Sequence, residues 1–367
     1  MSSSCGKRIR LSIFGQSHSA AVGAVIEGLP AGFRVDMERL DSFMKRRAPG
    51  GPLATPRREG DRIEFLSGIA GGRLCGSPLC LIIRNADARS GDYSEFRDVP
   101  RPGHADYTSS VKYGGFQDAS GGGHFSGRLT APLTAAGGVC LQILEARGIF
   151  VGAHLKSVGG VEDRAFDPAS VSRADFNARF FSPLTVLDAA AGARMAAAIE
   201  AARAEGDSLG GVVDCAAVGL PAGLGEPIFG GLESGIASLV FGIPAVKGVE
   251  FGSGFAAAAM RGSEHNDPFV CEDGAVITAT NHAGGILGGI STGMPLVFRA
   301  AFKPTPSIAR AQRTLSLRTM QLTELNIKGR HDPCVAVRAG PAVEAAAAVA
   351  LCDALLPGNY EPLKGAE

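Results

Sequence analysis

The chain has 367 residues, 45% of them hydrophobic, with 36 Lys+Arg against 36 Asp+Glu. That length holds one large domain or two ordinary ones, and the charge balance gives no support to a nucleic-acid or membrane-surface role. Glycine, at 51 residues, is about twice its usual ~7% share, so tight turns and ligand loops are over-supplied. The eight cysteines form no C-x-x-C pair, and several sit in apolar runs such as Leu79-Cys80-Leu81 and Val139-Cys140-Leu141. They read as reduced core thiols of a cytoplasmic protein, not as a disulfide frame or a zinc site. The N-terminus has no long apolar run, and the alanine-rich stretch 342–352 is short and contains Glu344. Neither a signal peptide nor a transmembrane helix is therefore expected.

In chain order, the first element expected is a strand over 9–14. A helix follows over 36–47, capped by Asp36, burying Leu40, Phe43 and Met44 and ending in Lys45-Arg46-Arg47. Alternating or apolar runs predict strands over 62–66 and 79–84. A helix is expected over 128–147 after Gly121-Gly122-Gly123, and an alanine-rich helix over 188–205. Strands are read over 211–218, 275–280, 296–302 and 334–338. The last helix, 341–356, has proline in its first turn and Pro357 beyond its end. Strands and helices mix without a βαβ rhythm, and no repeat, linker or composition break divides the chain. The expectation is a single α+β domain over residues 1–367.

Several familiar sites are absent. No G-x-G-x-x-G follows a strand, no glycine loop ends in Lys-Ser or Lys-Thr, and H-E-x-x-H and G-x-S-x-G are missing. The seven histidines show no metal-ligand spacing, so no metal site is expected. Polar clusters set in glycine and proline remain. Gly15-Gln16-Ser17-His18-Ser19 places a serine beside a histidine, able to fix the imidazole tautomer. Arg101-Pro102-Gly103-His104-Ala105-Asp106 gathers a cation, an imidazole and a carboxylate on stiff backbone. Gly121-Gly122-Gly123-His124-Phe125-Ser126-Gly127-Arg128 leads into a helix, where free N–H groups and the helix dipole favour an anion. Arg46 and Arg47 with Arg57 and Arg58 flank a rigid turn and could clamp phosphate or carboxylates, or form a solvated face. Lys303-Pro304-Thr305-Pro306-Ser307 and Gly329-Arg330-His331-Asp332 repeat the pattern. The stretch 281–293 carries five glycines among thirteen residues, which predicts backbone brought close to a ligand. This inventory suits a polyanionic small substrate with a bulky cofactor, histidine as general acid and Asp332 as base.

These segments, with Asp207-Ser208-Leu209-Gly210-Gly211, the run 221–227 and Ala245-Val246-Lys247-Gly248-Val249-Glu250, resemble chorismate synthase in order and spacing over nearly the whole chain. The resemblance implies a single-domain β-α-β sandwich assembled as a homotetramer. It implies elimination of phosphate from 5-enolpyruvylshikimate 3-phosphate, with reduced FMN required and no net redox change. Some relatives also reduce flavin themselves, which admits NADPH as a second cofactor. By matching position, His18 would protonate the leaving phosphate, His104 the reduced flavin, and Asp332 would act as base through the flavin. Ser17 and Ser126 would orient these groups, while Arg46, Arg47, Arg101 and Arg128 would hold substrate anions. His124, Phe125, Ser126, Pro244, Ala245, Gly288, Lys303, Pro304, Thr305, Pro306, Ser307 and Arg330 would line the flavin. The chain departs from the family at Gln16, Ser19, His124, Phe125, Gly127 and Leu129. Its turn after Arg47 is about one residue short. These changes imply altered affinity before lost chemistry; the alternative is a binding relative that no longer turns over.

Overall fold

Residues 130–145 are apolar or small nearly all the way round, apart from Gln142 and Glu145 in the last turn, a pattern that requires burial on most sides. The computed structural model describes residues 3–48, 53, 60–85, 95–177, 184–327 and 332–356. In it, helix Thr130–Glu145 lies beside helix Gly340–Leu355, both buried almost throughout. Small residues set their spacing: a Cβ on Gly137 would fall 2.3 Å from that of Ala345.

A five-stranded sheet covers each side of this helical layer. The first runs Ser4–Cys5, Arg10–Gly15, Ala21–Glu27, Leu79–Arg84, Ile63–Ser67 in space and packs on helix Thr130–Glu145. The second runs Val246–Phe251, Leu296–Phe302, Gly211–Val218, Phe150–Val158, Val161–Glu162 and packs on helix Gly340–Leu355. Every pairing is antiparallel. The result is the expected α+β arrangement, a helical layer between two sheets. None of its described helices is long and apolar enough to cross a membrane.

Polar ties join the layers. Gln142 accepts from the Asp36 N–H at 2.8 Å and donates to its carbonyl at 2.9 Å, docking helix Met37–Arg47 onto helix Thr130–Glu145. The buried Glu344 carboxylate takes a bidentate pair from Arg46 at 2.7 and 2.8 Å and the Ala153 N–H at 2.8 Å. Burial alone would lower the Arg46 pKa, but Glu344 outweighs it and raises it. Arg46 is thus a structural tie between helices and sheet.

The predicted elements recur with small shifts at their ends, except at 334–338. There the expected strand is a short 3-10 helix, Val335–Arg338. The Pro333 carbonyl is taken by the Leu209 N–H at 2.8 Å, and Gly340-Pro341 starts the final helix directly afterwards. No room remains for a ladder.

On the face of the second sheet away from the helices, charges alternate across directly paired strands. His154 stands opposite Asp214, Asp214 opposite Arg299, and Arg299 opposite Glu250. His154 Nδ1 lies 3.3 Å from Asp163 and Nε2 3.5 Å from Asp214, with Phe166 edge-on at 4.6 Å. Burial alone would lower the His154 pKa, yet the two carboxylates raise it. A histidine that binds its proton more tightly folded than unfolded stabilises fully below its unfolded value of about 6.5 and loses that contribution as pH rises through the folded value. We therefore predict that the thermal midpoint of the parent chain falls as pH rises above about 6.5. His154→Asn should start lower and fall less; parallel curves would contradict the assignment.

Candidate functional site

One cleft of about 530 Å³ opens where the ends of both sheets meet the first turns of the two central helices. Thr130 lines it from one helix and Ala339 and Ala342 from the other, so two positive helix termini face the same space. The lining draws on the strand end at Ser17 and His18, the loop around Arg101 and His104, and the junction 121–128. It is completed by Arg47, the segments 241–247 and 302–307, and Asp332 with Arg338. The volume is that of a small-molecule site.

Both histidines are held from behind through Nδ1. Ser17 Oγ donates to the Ser120 carbonyl at 3.1 Å, so it accepts from His18 Nδ1–H at 2.9 Å. This assigns the proton to Nδ1 and leaves Nε2 as the atom that exchanges a proton. The ring can lie there because residue 121 is glycine at φ +66°; a Cβ would fall 2.4 Å from His18 Cε1. His104 Nδ1 lies 2.6 Å from Asp106, whose other bonds come from Arg101. Arg101 in turn sits 4.4 Å over the Phe96 ring. Burial alone would raise the Asp106 carboxyl, but Arg101 and His104 hold it well below the usual range.

Asp61 is shared between two arginines. Arg47 donates through Nε at 3.0 Å and through Nη2, and Arg128 through Nη1. Arg128 Nε also donates to Asn85 at 2.9 Å. Burial pulls the Arg47 pKa down to about 10, opposed by Asp61 and reinforced by Arg338 and Arg128; the group stays charged at neutral pH. Six cations line the cleft among the described residues: Arg47, Arg101, Arg128, Lys247, Lys303 and Arg338. Three carboxylates, Asp61, Asp106 and Asp332, pair with four of them. Three positive charges remain before any histidine protonates.

Most of the residues expected to share a site do so: Ser17, His18, Arg47, Arg101, His104, Phe125, Ser126, Arg128, Pro244, Ala245, Lys303, Thr305, Pro306, Ser307 and Asp332 all line this cleft. Ser126 caps the turn into helix Thr130–Glu145, accepting from the Arg128 N–H at 3.2 Å. His124 reaches the cleft, but its ring is used inside the chain, with Nδ1 bonded to the Gly15 carbonyl at 2.7 Å and Nε2 to Ser3 at 2.8 Å. Arg330 lies outside the described residues. Arg46, Pro304 and Gly288 do not line the cleft.

In the stretch 281–293, Gly284, Gly285 and Gly289 make their close approaches to the chain's own backbone, while a Cβ on Gly288 would meet nothing within 4 Å. A Cβ on Gly284 would fall 2.4 Å from Gly252 N and one on Gly285 2.4 Å from the Pro295 carbonyl. Asn281 clamps this packing through Pro168, Pro295 and Gly285. Gly288 belongs to the turn between strands Ile286–Leu287 and Ile290–Ser291. Glycine count alone cannot separate backbone against ligand from backbone against backbone.

Sequence reasoning missed Asp61, Lys247 and Arg338 as site residues. Asp61 carries a positive φ of 44° without being glycine, which no sequence signal reveals. Arg338 was hidden by the expected strand over 334–338.

Comparison with known proteins agrees with this geometry. The family model for chorismate synthase matches residues 9–356. Chorismate synthase of Korarchaeum cryptofilum is 48% identical over 96% of both chains. That of Aeropyrum pernix is 49% identical over 96% of this chain and 92% of its own. A crystal structure of chorismate synthase superposes with a TM-score of 0.75 at 28% identity, covering 96% of this chain and 93% of that one. The chain belongs to the chorismate synthase family, carbon–oxygen lyases of aromatic amino-acid biosynthesis.

Proposed function

We propose that this cleft eliminates phosphate from 5-enolpyruvylshikimate 3-phosphate with His18, His104 and Asp332 as its proton-handling groups. The observation that carries the reading is their convergence on one strongly cationic cleft. The substrate bears a phosphate and two carboxylates, and the excess of positive charge answers them. Arg47 and Arg128 are fixed by Asp61 before substrate arrives, so little reorganisation opposes binding.

The cleft residues also fit a flavin. The Thr305 hydroxyl oxygen is buried and has no hydrogen-bond partner among the described residues. Beside it, Ala245 holds a strained φ of 75°, and its carbonyl is fixed by the Lys303 N–H at 2.9 Å. Burial and then Lys247 depress the Lys303 pKa, the effect of two cations placed to share an anion. Ser126, Ala245, Lys303, Thr305 and Ser307 would hold reduced FMN, whose chemistry there is transient electron donation without net oxidation. NADPH as its reductant belongs to the same reading.

The chain's own residues supply the rest. His18 delivers a proton at Nε2 to the phosphate as its C–O bond breaks. Asp332 is the final acceptor of the proton lost from the substrate's C–H bond, so charge and protons balance. His104, oriented by Asp106, keeps a proton on the cofactor side. Ser17 and Ser126 set the backbone on which these groups ride. His124 departs from the family pattern but serves as a tie to strand Arg10–Gly15, leaving the proton-handling residues in place.

Self-association into a homotetramer is part of the proposal. Phe116, Phe229 and Phe255 are 95%, 94% and 84% exposed in the isolated chain, a state that favours a covering partner. Eight free cysteines fit a reducing compartment, and we place the enzyme in the cytoplasm.

Three outcomes test the reading. His104→Ala and Asp332→Asn should each lower kcat by about 10²-fold or more, the scale of general acid–base catalysis, while FMN still binds. Near-normal turnover in either would remove its assigned role. Arg128→Gln should raise KM for the substrate by about tenfold to a hundredfold, the loss of one charged hydrogen-bonded contact. An unchanged KM would take Arg128 out of the anion site. Light scattering should give four times the chain mass, and a monomer would contradict the assembly.

A further inference from the structure

Asp332 lies in the cleft wall, and its carboxylate is gripped by Arg338. Arg338 donates to it through Nε at 3.2 Å and Nη2 at 2.5 Å, and both bonds end on the same oxygen, Oδ2. Two charge-assisted donors hold Oδ2 against the guanidinium and leave Oδ1 as the oxygen that does not take Arg338's bonds. Arg338 itself is rigidly based. It closes the 3-10 helix Val335–Arg338, which runs directly into the buried helix Gly340–Leu355. The Asp332 side of the pair is anchored by the neighbouring Pro333 carbonyl, which accepts from the Leu209 N–H. Arg338 also lines the cleft beside Arg47, whose pKa it helps to lower.

We propose that Arg338 is a positioning residue: it aims the Asp332 carboxylate at the reacting centre and is not itself a ligand of the substrate. The inference rests on the reading of Asp332 as the proton acceptor. A positioning role predicts loss in the chemical step without loss in binding.

The test uses the full-length enzyme with FMN, comparing Arg338→Gln, Arg338→Lys, Asp332→Asn and the double variant Asp332→Asn/Arg338→Gln. Thermal midpoints confirm that each is folded. Arg338→Gln should lower kcat about tenfold or more, with KM for 5-enolpyruvylshikimate 3-phosphate within about twofold of the parent. Calorimetric titration of FMN and of substrate into the variant should show affinities unchanged within the same factor. Arg338→Lys, which keeps the charge but not the two-pronged grip, should recover part of kcat. The double variant should be no slower than Asp332→Asn alone, because one residue acts through the other. A raised KM with kcat intact would make Arg338 a substrate ligand and overturn the proposal, as would losses that multiply in the double variant. If Asp332→Asn is inactive while Arg338→Gln turns over normally, this inference fails and the role of Asp332 stands. If Asp332→Asn itself turns over normally, the reading of the base fails first.

Discussion

Asp61 is shared by two buried guanidinium groups, and much of the cleft follows from that sharing. An arginine taken out of water without a counter-ion is costly, and two side by side would repel. One carboxylate reached by Arg47 from helix Met37–Arg47 and by Arg128 from the junction before helix Thr130–Glu145 keeps both charged and aimed. It neutralises only one of the two, so attraction for an anion survives. Asp106 with Arg101 and Asp332 with Arg338 repeat the device. A carboxylate stands against each of these arginines, and Lys247 and Lys303 add to the positive sign of the cleft.

The layered fold is what brings these pairs to one place. Two helices too apolar for any surface position are enclosed between two antiparallel sheets, and their first turns open on the same cleft. Loops at the ends of both sheets then add the histidines, lysines and the proline-stiffened 303–307 segment. Glu344 and Gln142 fasten the helix that carries Arg47, so the position of a site arginine is set by contacts in the core. Function and packing are linked through side chains such as Arg46, whose neighbour Arg47 lines the cleft while it faces the protein.

Much of this was legible in the residues. The helices over 36–47, 188–205 and 341–356 announced themselves by caps, proline placement and alanine content, and three strands were bounded to the residue. Ser17-His18 and the Arg101 to Asp106 cluster were visible because glycine and proline around polar groups are hard to explain otherwise. What failed did so for physical reasons. Gly284, Gly285 and Gly289 meet backbone of their own chain, and sequence does not say which surface a glycine admits. Val335-Ala336-Val337 alternates like a strand, but a proline before it and a helix start after it leave no ladder to join. Asp61 gains its role only from neighbours distant in sequence, which composition and spacing do not bring together.

The central claim is that this cationic cleft breaks the C–O bond to phosphate without net oxidation. Its most direct measurement mixes the purified protein with 5-enolpyruvylshikimate 3-phosphate under anaerobic conditions, following phosphate and chorismate together. With reduced FMN the two should appear in equal amounts over many turnovers per site, and with oxidised FMN neither should form. Tight binding of flavin and substrate with no phosphate released would contradict the account and leave a binding protein in place of a lyase.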